Sequence, residues 1–159
     1  RYREEPYSAM ELISDVALCA LEKAKAAQCG NLKILIANAK NLTDYFQKGD
    51  VKVLYLNFSD PWPKKGHTKR RLTYRGFLEL YKQILTDDGK ICFKTDNAGL
   101  FEFSLDEFKE AGFCLSEVTD DLHNSIYNEG NIETEYERNF SAKGFSIHRL
   151  VASMPSKCE

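Results

Sequence analysis

Long apolar runs are missing from this 159-residue chain. None approaches the ~20 residues of a membrane-crossing helix, so no such span is expected. The five cysteines contain no CxxC pair, and their odd number argues against a disulfide framework. No His or Cys spacing matches a zinc site, so no metal is expected. Cys19, Cys92 and Cys114 fall inside apolar patterns and read as core residues, which suits a reducing, cytoplasmic setting. An initiator methionine is missing too. The chain opens Arg1-Tyr2-Arg3-Glu4-Glu5 with no apolar stretch behind it, so neither a signal peptide nor the natural start is expected here. No GxGxG-like segment occurs, which removes the usual glycine-rich cradle for a nucleotide-like cofactor. Net charge is only −2, which excludes a globally basic nucleic-acid binder.

What is present is ordinary globular material, 43% hydrophobic and 29% charged, enough for one domain over residues 1–159. Residues 7–11 read as the end of a strand. Residues 14–27 carry Val16, Ala20, Leu21 and Ala24 at helical spacing, with Ser14 as N-cap and Gly30 as a stop. Residues 32–37 (LKILIA) form an apolar strand, and residues 42–46 a short helix opened by Asn41. Residues 51–58 (VKVLYLNF) are apolar almost throughout, as in a central strand covered on both faces. Residues 73–85 predict an amphipathic helix with Phe77, Leu80, Tyr81 and Ile84 on one face. Asp87-Asp88-Gly89 reads as a turn, residues 90–95 as a strand, and residues 98–111 as a helix ended by Gly112. Strands follow at 113–118 and 146–152. Residues 120–130 look irregular, and 132–140 partly helical. Strand–helix alternation implies an α/β fold with a mainly parallel, doubly wound sheet.

In such sheets ligands gather beyond the carboxyl ends of the strands, which singles out Glu11, Asn38, residues 59–63 and residues 95–97. Asp60, Pro61, Trp62 and Pro63 make a stiff loop that presents a carboxylate and an indole. Asp96 ends the next strand on the same rim, unless it only caps the following helix. Two rim carboxylates can accept from a guanine's Watson–Crick edge or from ribose hydroxyls. Glu11 could hold a ribose, although a surface position is the default for a lone Glu at a strand end, and Asn38 could meet an adenine edge or equally be an ordinary loop Asn. Residues 64–71 hold five Lys/Arg and one His without an acid, a local basic loop that can dock phosphate. Thr134 and Glu137 have capping-box spacing. Phe101, Phe103 and Phe108 read as core. His67, His123 and His148 give no nucleophile–base arrangement.

At residues 57–73 (NFSDPWPKKGHTKRRLT) the sequence resembles the bacterial tRNA (guanine-N7)-methyltransferase family. The resemblance continues, in order, through FKTDN at 93–97, LHNS at 122–125, EGN at 129–131, TEYE at 134–137 and FSAKG at 140–144. Several motifs in register are far more specific than one. The resemblance implies a Rossmann-like class I methyltransferase that uses S-adenosylmethionine to methylate N7 of a guanosine in the variable loop of tRNA. It implies Asp60 at the catalytic centre and beside the cofactor, with Glu11 and Asn38 on the cofactor's ribose and adenine. Lys64, Asp96, Thr134, Glu135, Tyr136 and Glu137 should meet the substrate. Gly66, His67, Thr68, Lys69, Arg70 and Arg71 should contact tRNA, although Gly66 stands where the family often has a basic residue. The family's first strand and glycine loop have no counterpart, so the fold is expected to be N-terminally incomplete, with residues 1–6 as a remnant of the intervening helix or a piece joined across a gap. The alternative is a non-catalytic RNA-binding remnant. Loops of the (N/D)PP(Y/F/W) type, used on other nitrogens, are a more distant parallel for Asp60-Pro61-Trp62.

Overall fold

The computed structural model describes residues 5–154. Of the expected helix remnant, residues 1–4 lie outside this range, while Glu5 and Pro6 lead into a strand without helical turns. The chain divides into two compact units, residues 1–45 and 46–159.

In the first unit, β1 (Tyr7–Glu11) and β2 (Leu32–Ile36) pair in parallel, with Glu11 opposite Ile36, and α1 (Ser14–Ala26) connects them. Ser14 is not the cap of α1. The helix starts after Ile13, and the Glu11 carboxylate accepts from the Leu12 and Ile13 N–H groups at 2.8 and 2.9 Å. The buried face differs from the expected one, because Ala17 is buried while Val16 and Leu21 are exposed. Asn38, not Asn41, opens the next turn, a 3₁₀ helix at Ala39–Asp44, by accepting from the Lys40 N–H at 3.0 Å.

The second unit holds a four-stranded sheet of β3 (Val51–Asn57), β4 (Leu85–Thr95), β5 (Cys114–Thr119) and β6 (His148–Ser153), in the order β3-β4-β6-β5. β3 and β4 are parallel; β6 is antiparallel to both β4 and β5. β3 is therefore an edge strand of this sheet, not its centre, and Tyr55 is half-exposed. The expected Asp87-Asp88-Gly89 turn is instead a bulge inside β4, where the partner of β3 jumps from Leu85 to Lys90.

Helix α3 (Ala98–Glu110) packs on β4, β5 and β6 and buries Leu100, Phe101 and Phe108; Gly112 then takes a left-handed φ of +79°. Phe101 stacks on Phe93 of β4. Helix α2 (Arg75–Ile84) buries Phe77, Leu78, Tyr81 and Ile84, so Leu78 takes the place expected for Leu80. Its first N–H group is satisfied from α3: Arg75 N donates to Glu107 Oε2, and the Arg75 guanidinium pairs with Glu107 at 2.8 Å and Glu110 at 2.6 Å. Cys92 is buried, as expected, but Cys19 is exposed and Cys114 is half-buried. No described helix is long and apolar enough to cross a membrane.

The β4 bulge generates a stability prediction. A Cβ on Gly89 would meet the Thr86 carbonyl oxygen at 2.8 Å and Leu85 Cβ at 2.9 Å, whereas one on Gly30 meets nothing within 4 Å. Gly89→Ala is expected to cost about 1–3 kcal/mol in urea unfolding, with Gly30→Ala close to neutral. Equal effects would show that the bulge does not constrain the chain.

Candidate active site

Topology gathers the candidates of the second unit. Because β3 and β4 are parallel and in register at Asn57 and Lys94, the loops after both leave from one rim. β6 enters the sheet from that same rim: His148 lies opposite Thr95, and Arg149 opposite Thr119 at the end of β5. Residues 120–147 thus begin and end where Asp60 and Asp96 emerge. They carry a 3₁₀ turn at Ile126–Asn128 and α4 (Glu135–Ser141). An antiparallel return needs no crossover, which leaves this segment to line the rim.

The loop after β3 is strained. Phe58 and Trp62 have φ of +54° and +40°, left-handed values that cost a non-glycine residue on the order of 1–3 kcal/mol. Neighbours hold the conformation. Phe58 N donates to the Lys94 carbonyl at 2.8 Å. Arg71 donates from Nε to the Pro61 carbonyl (2.9 Å) and from Nη2 to the Trp62 carbonyl (3.2 Å), and lies over the Phe103 ring. His67 meets the Trp62 ring edge-on, and the Arg70 guanidinium sits 4.9 Å from its centroid. Phe103 is therefore a half-buried platform for Arg71, while Phe101 and Phe108 are core. Asp60 is exposed on this stiffened loop, with no ionic or hydrogen-bond partner among the described residues.

The basic stretch forms a 3₁₀ turn, Lys65–Arg70, fixed by Thr68 Oγ1 donating to the Lys65 carbonyl. Lys64, Lys65, Gly66, Lys69 and Arg70 are exposed; His67, Thr68 and Arg71 are partly covered. Arg71 thus spends its guanidinium on the neighbouring loop.

Asp96 does not cap α3. Asn97 does, its side chain accepting from Leu100 N at 2.8 Å. Asp96 is left to face Tyr136, whose hydroxyl approaches its Oδ2 at a long 3.4 Å. Tyr136 also packs on Phe58, at 4.7 Å between centroids, and on Phe140 at 4.1 Å. One ring therefore joins the loops after β3 and β4, and it stays 41% exposed. Burial, then the Asp96 charge, pushes the Tyr136 hydroxyl above its ordinary value.

Thr134 and Glu137 form the expected capping box at the start of α4. Glu137 is nevertheless 0% exposed and turned inward. It accepts from Lys94 Nζ at 2.5 Å, from Asn131 Nδ2 at 2.8 Å and from His123 Nε2 at 3.0 Å. Lys94, His123 and Asn131 were not singled out for any role in the sequence. An apolar strand ending in a lysine was the available signal. Glu135 is exposed at the start of α4.

In the first unit, Glu11 and Asn38 follow the same end of the parallel pair β1–β2. Among the described residues only one Glu11 oxygen is used, and the Asn38 amide nitrogen remains a donor. An open carboxylate oxygen suits a ribose hydroxyl, and an amide N–H suits an adenine ring nitrogen. No cluster of metal-ligating side chains occurs among the described residues.

The fold is that of a methyltransferase domain. A family model described as "Putative methyltransferase" matches residues 4–150. Among solved structures, a SAM-dependent O-methyltransferase from Thermotoga maritima superposes with a TM-score of 0.60 at 12% identity, covering 99% of this chain and 52% of its own. An rRNA methylase from Streptococcus thermophilus gives 0.60 at 11% identity, covering 94% and 73%. Such low identities speak for the fold alone. Closer in sequence is the tRNA (guanine-N(7)-)-methyltransferase of Geobacillus sp. (strain WCH70), 52% identical over 151 residues, covering 95% of this chain and 68% of the relative. The enzyme of the same description from Listeria monocytogenes serotype 4b is 54% identical over 146 residues, covering 92% and 68%. The chain belongs to the tRNA (guanine-N(7)-)-methyltransferase family.

The inward-facing carboxylate yields an acid-stability prediction. Burial pushes Glu137 up, but the hydrogen bonds from Lys94, His123 and Asn131 and the Lys94 charge outweigh it and hold the group below its ordinary 4.5. A depressed carboxyl stabilises the fold fully above that ordinary value and loses its contribution as pH falls through the native one. Glu137→Gln is expected to lose about 3–5 kcal/mol at pH 7, by leaving Lys94 buried without a counter-charge. Its deficit against wild type should narrow only below about pH 4.5, in urea unfolding measured across pH. A deficit that stays constant down to pH 3 would contradict the depressed value.

Proposed function

We propose that this chain transfers a methyl group from S-adenosylmethionine to N7 of a guanosine in the variable loop of tRNA. The observation that carries this reading is the shared rim of Asp60, Asp96 and Tyr136 beside an exposed basic turn. Family membership supplies the donor and the acceptor class.

The donor, when bound, supplies an electrophilic methyl on a sulfonium. Glu11 and Asn38 would hold its ribose and adenine. Guanine N7 already offers a lone pair, so no proton must leave before transfer. The protein's work is then alignment of N7 with the methyl and stabilisation of the charge that develops. Methylation leaves the guanine ring cationic. Asp60, a carboxylate on a stiffened loop with no partner among the described residues, is suited to face that charge. Asp96 can accept from the guanine N1–H and N2–H₂ donors, and Tyr136 can lie against the base. Lys64, Lys65, Lys69 and Arg70 are exposed to meet phosphates, whereas Arg71 acts on the loop itself. No described feature favours the non-catalytic alternative.

Two measurements test this. Labelled methyl transfer to unmodified tRNA would be run on this chain and on the Geobacillus relative with the matching segment replaced by it. Asp60→Ala is expected to lower transfer by at least ~100-fold. Transfer that survives this change, or methyl found elsewhere than guanine N7, would sink the assignment. Separately, each of Lys64→Ala, Lys65→Ala, Lys69→Ala and Arg70→Ala should reduce the slope of log tRNA affinity against log salt by about 0.7–0.9. Unchanged slopes in all four would remove the basic turn from the RNA interface.

A further inference from the structure

Under the rim lies a closed polar cluster that the transfer chemistry does not use. Lys94 is 6% exposed and Glu137 is 0% exposed. The Lys94 ammonium has three donors, and all three are spent: on Glu137 Oε2 at 2.5 Å, and on Asn131 Oδ1 and the Ile132 carbonyl at 3.1 Å each. The Glu137 carboxylate accepts in turn from Lys94, Asn131, His123 and, at a long 3.4 Å, the Thr134 N–H. A carboxylate only accepts, which places the imidazole proton of His123 on Nε2. Four donors exhaust its capacity, so Glu137 has nothing left to offer a guanine N–H.

The members come from three places. Lys94 stands two residues before Asp96, at the end of β4. His123 and Asn131 belong to the segment that returns along the rim. Glu137 follows Tyr136 directly and holds the first turn of α4 through its capping box with Thr134. The cluster therefore sets where Tyr136 stands relative to Asp96 and Phe58. A buried ion pair is a poor route to stability alone, since an apolar pair of like volume often does as well. Fixing one geometry is what such a pair can add.

We propose that Lys94, with Asn131 and His123, is a positioning residue for methyl transfer, which locks Glu137 inward and so registers Thr134 and Tyr136 against Asp96. This rests on the guanine-methylation reading above.

The test pairs kinetics with a structural readout that needs no activity. Variants are Lys94→Met, Asn131→Ala and the double change Lys94→Met with Glu137→Leu. The last leaves no orphan charge, so it remains informative if Lys94→Met does not fold. Kinetics use the methyl-transfer preparation described above. The expected result is a 10- to 100-fold fall in kcat with KM for tRNA within about 3-fold, because the basic turn is untouched. In this chain, the NMR cross-peaks between the Tyr136 and Phe58 rings, assigned with Tyr136→Phe, should weaken or vanish in the same variants. Lys94→Arg, which keeps the charge, should restore much of both. If the folded double variant keeps wild-type kcat and the Tyr136–Phe58 contact, the cluster is structural packing and the proposal falls. A KM rise that matches the loss of kcat/KM would overturn it too, by making Lys94 an RNA contact. If wild type transfers no methyl to guanine, the functional reading fails, and the ring contact alone decides the positioning claim.

Discussion

A lysine ammonium at the end of a buried strand must find partners, and the structure is arranged around that demand. Lys94 is only 6% exposed, and an uncompensated charge there would cost several kcal/mol. Its acceptors come from the segment between β5 and β6, so residues 123–137 are drawn down onto the end of β4. Once Glu137 is committed below, its neighbour Tyr136 is held above, against Asp96 and Phe58. An electrostatic need in the interior thereby sets the geometry of the surface where the substrate would lie.

The neighbouring loop solves a different problem. Two left-handed non-glycine residues, Phe58 and Trp62, persist only if the surroundings over-determine them. Arg71 supplies most of that determination by gripping two consecutive carbonyls in a planar fork, a geometry lysine cannot copy. The basic stretch therefore divides its labour. Its last arginine builds the loop and Arg70, though exposed, lies over the Trp62 ring, while Lys64, Lys65 and Lys69 are left to solvent.

Much of this was legible in the sequence, for identifiable reasons. Element types followed from periodicity, and the boundaries of β1, β2 and α3 fall within one or two residues of expectation. The capping box at Thr134 was readable because it is a local side-chain-to-backbone arrangement. Non-local decisions were not readable. The N-cap of α1 is Ile13, and the Glu11 carboxylate takes up the Leu12 and Ile13 N–H groups just ahead of the helix. The cap of α2 came from Glu107, across a helix interface. The run at residues 51–58 suggested a central strand by its apolarity, but order in a sheet is set by pairing, and among the described residues β3 pairs only with β4. The bulge at residues 86–89 used turn residues without turning the chain. A lysine ending an apolar strand was the one signal for Lys94, and it did not decide, because charge at a strand end is ordinarily solvated; only the fold shows that it is buried.

The two kinds of acid in this unit make the chemical logic plain. Glu137 is saturated with donors, so its charge is already neutralised by the protein and has no free energy left for a substrate. Asp60 is held by a rigid loop yet left without a partner among the described residues, so its field is available to whatever cation forms in front of it. A carboxylate stabilises a developing charge best when it is fixed in place before the reaction and not already compensated. Rigidity without neutralisation requires that the loop be braced through its backbone and its indole, not through the carboxylate itself. That is the arrangement Arg71, Arg70 and His67 provide around Pro61 and Trp62.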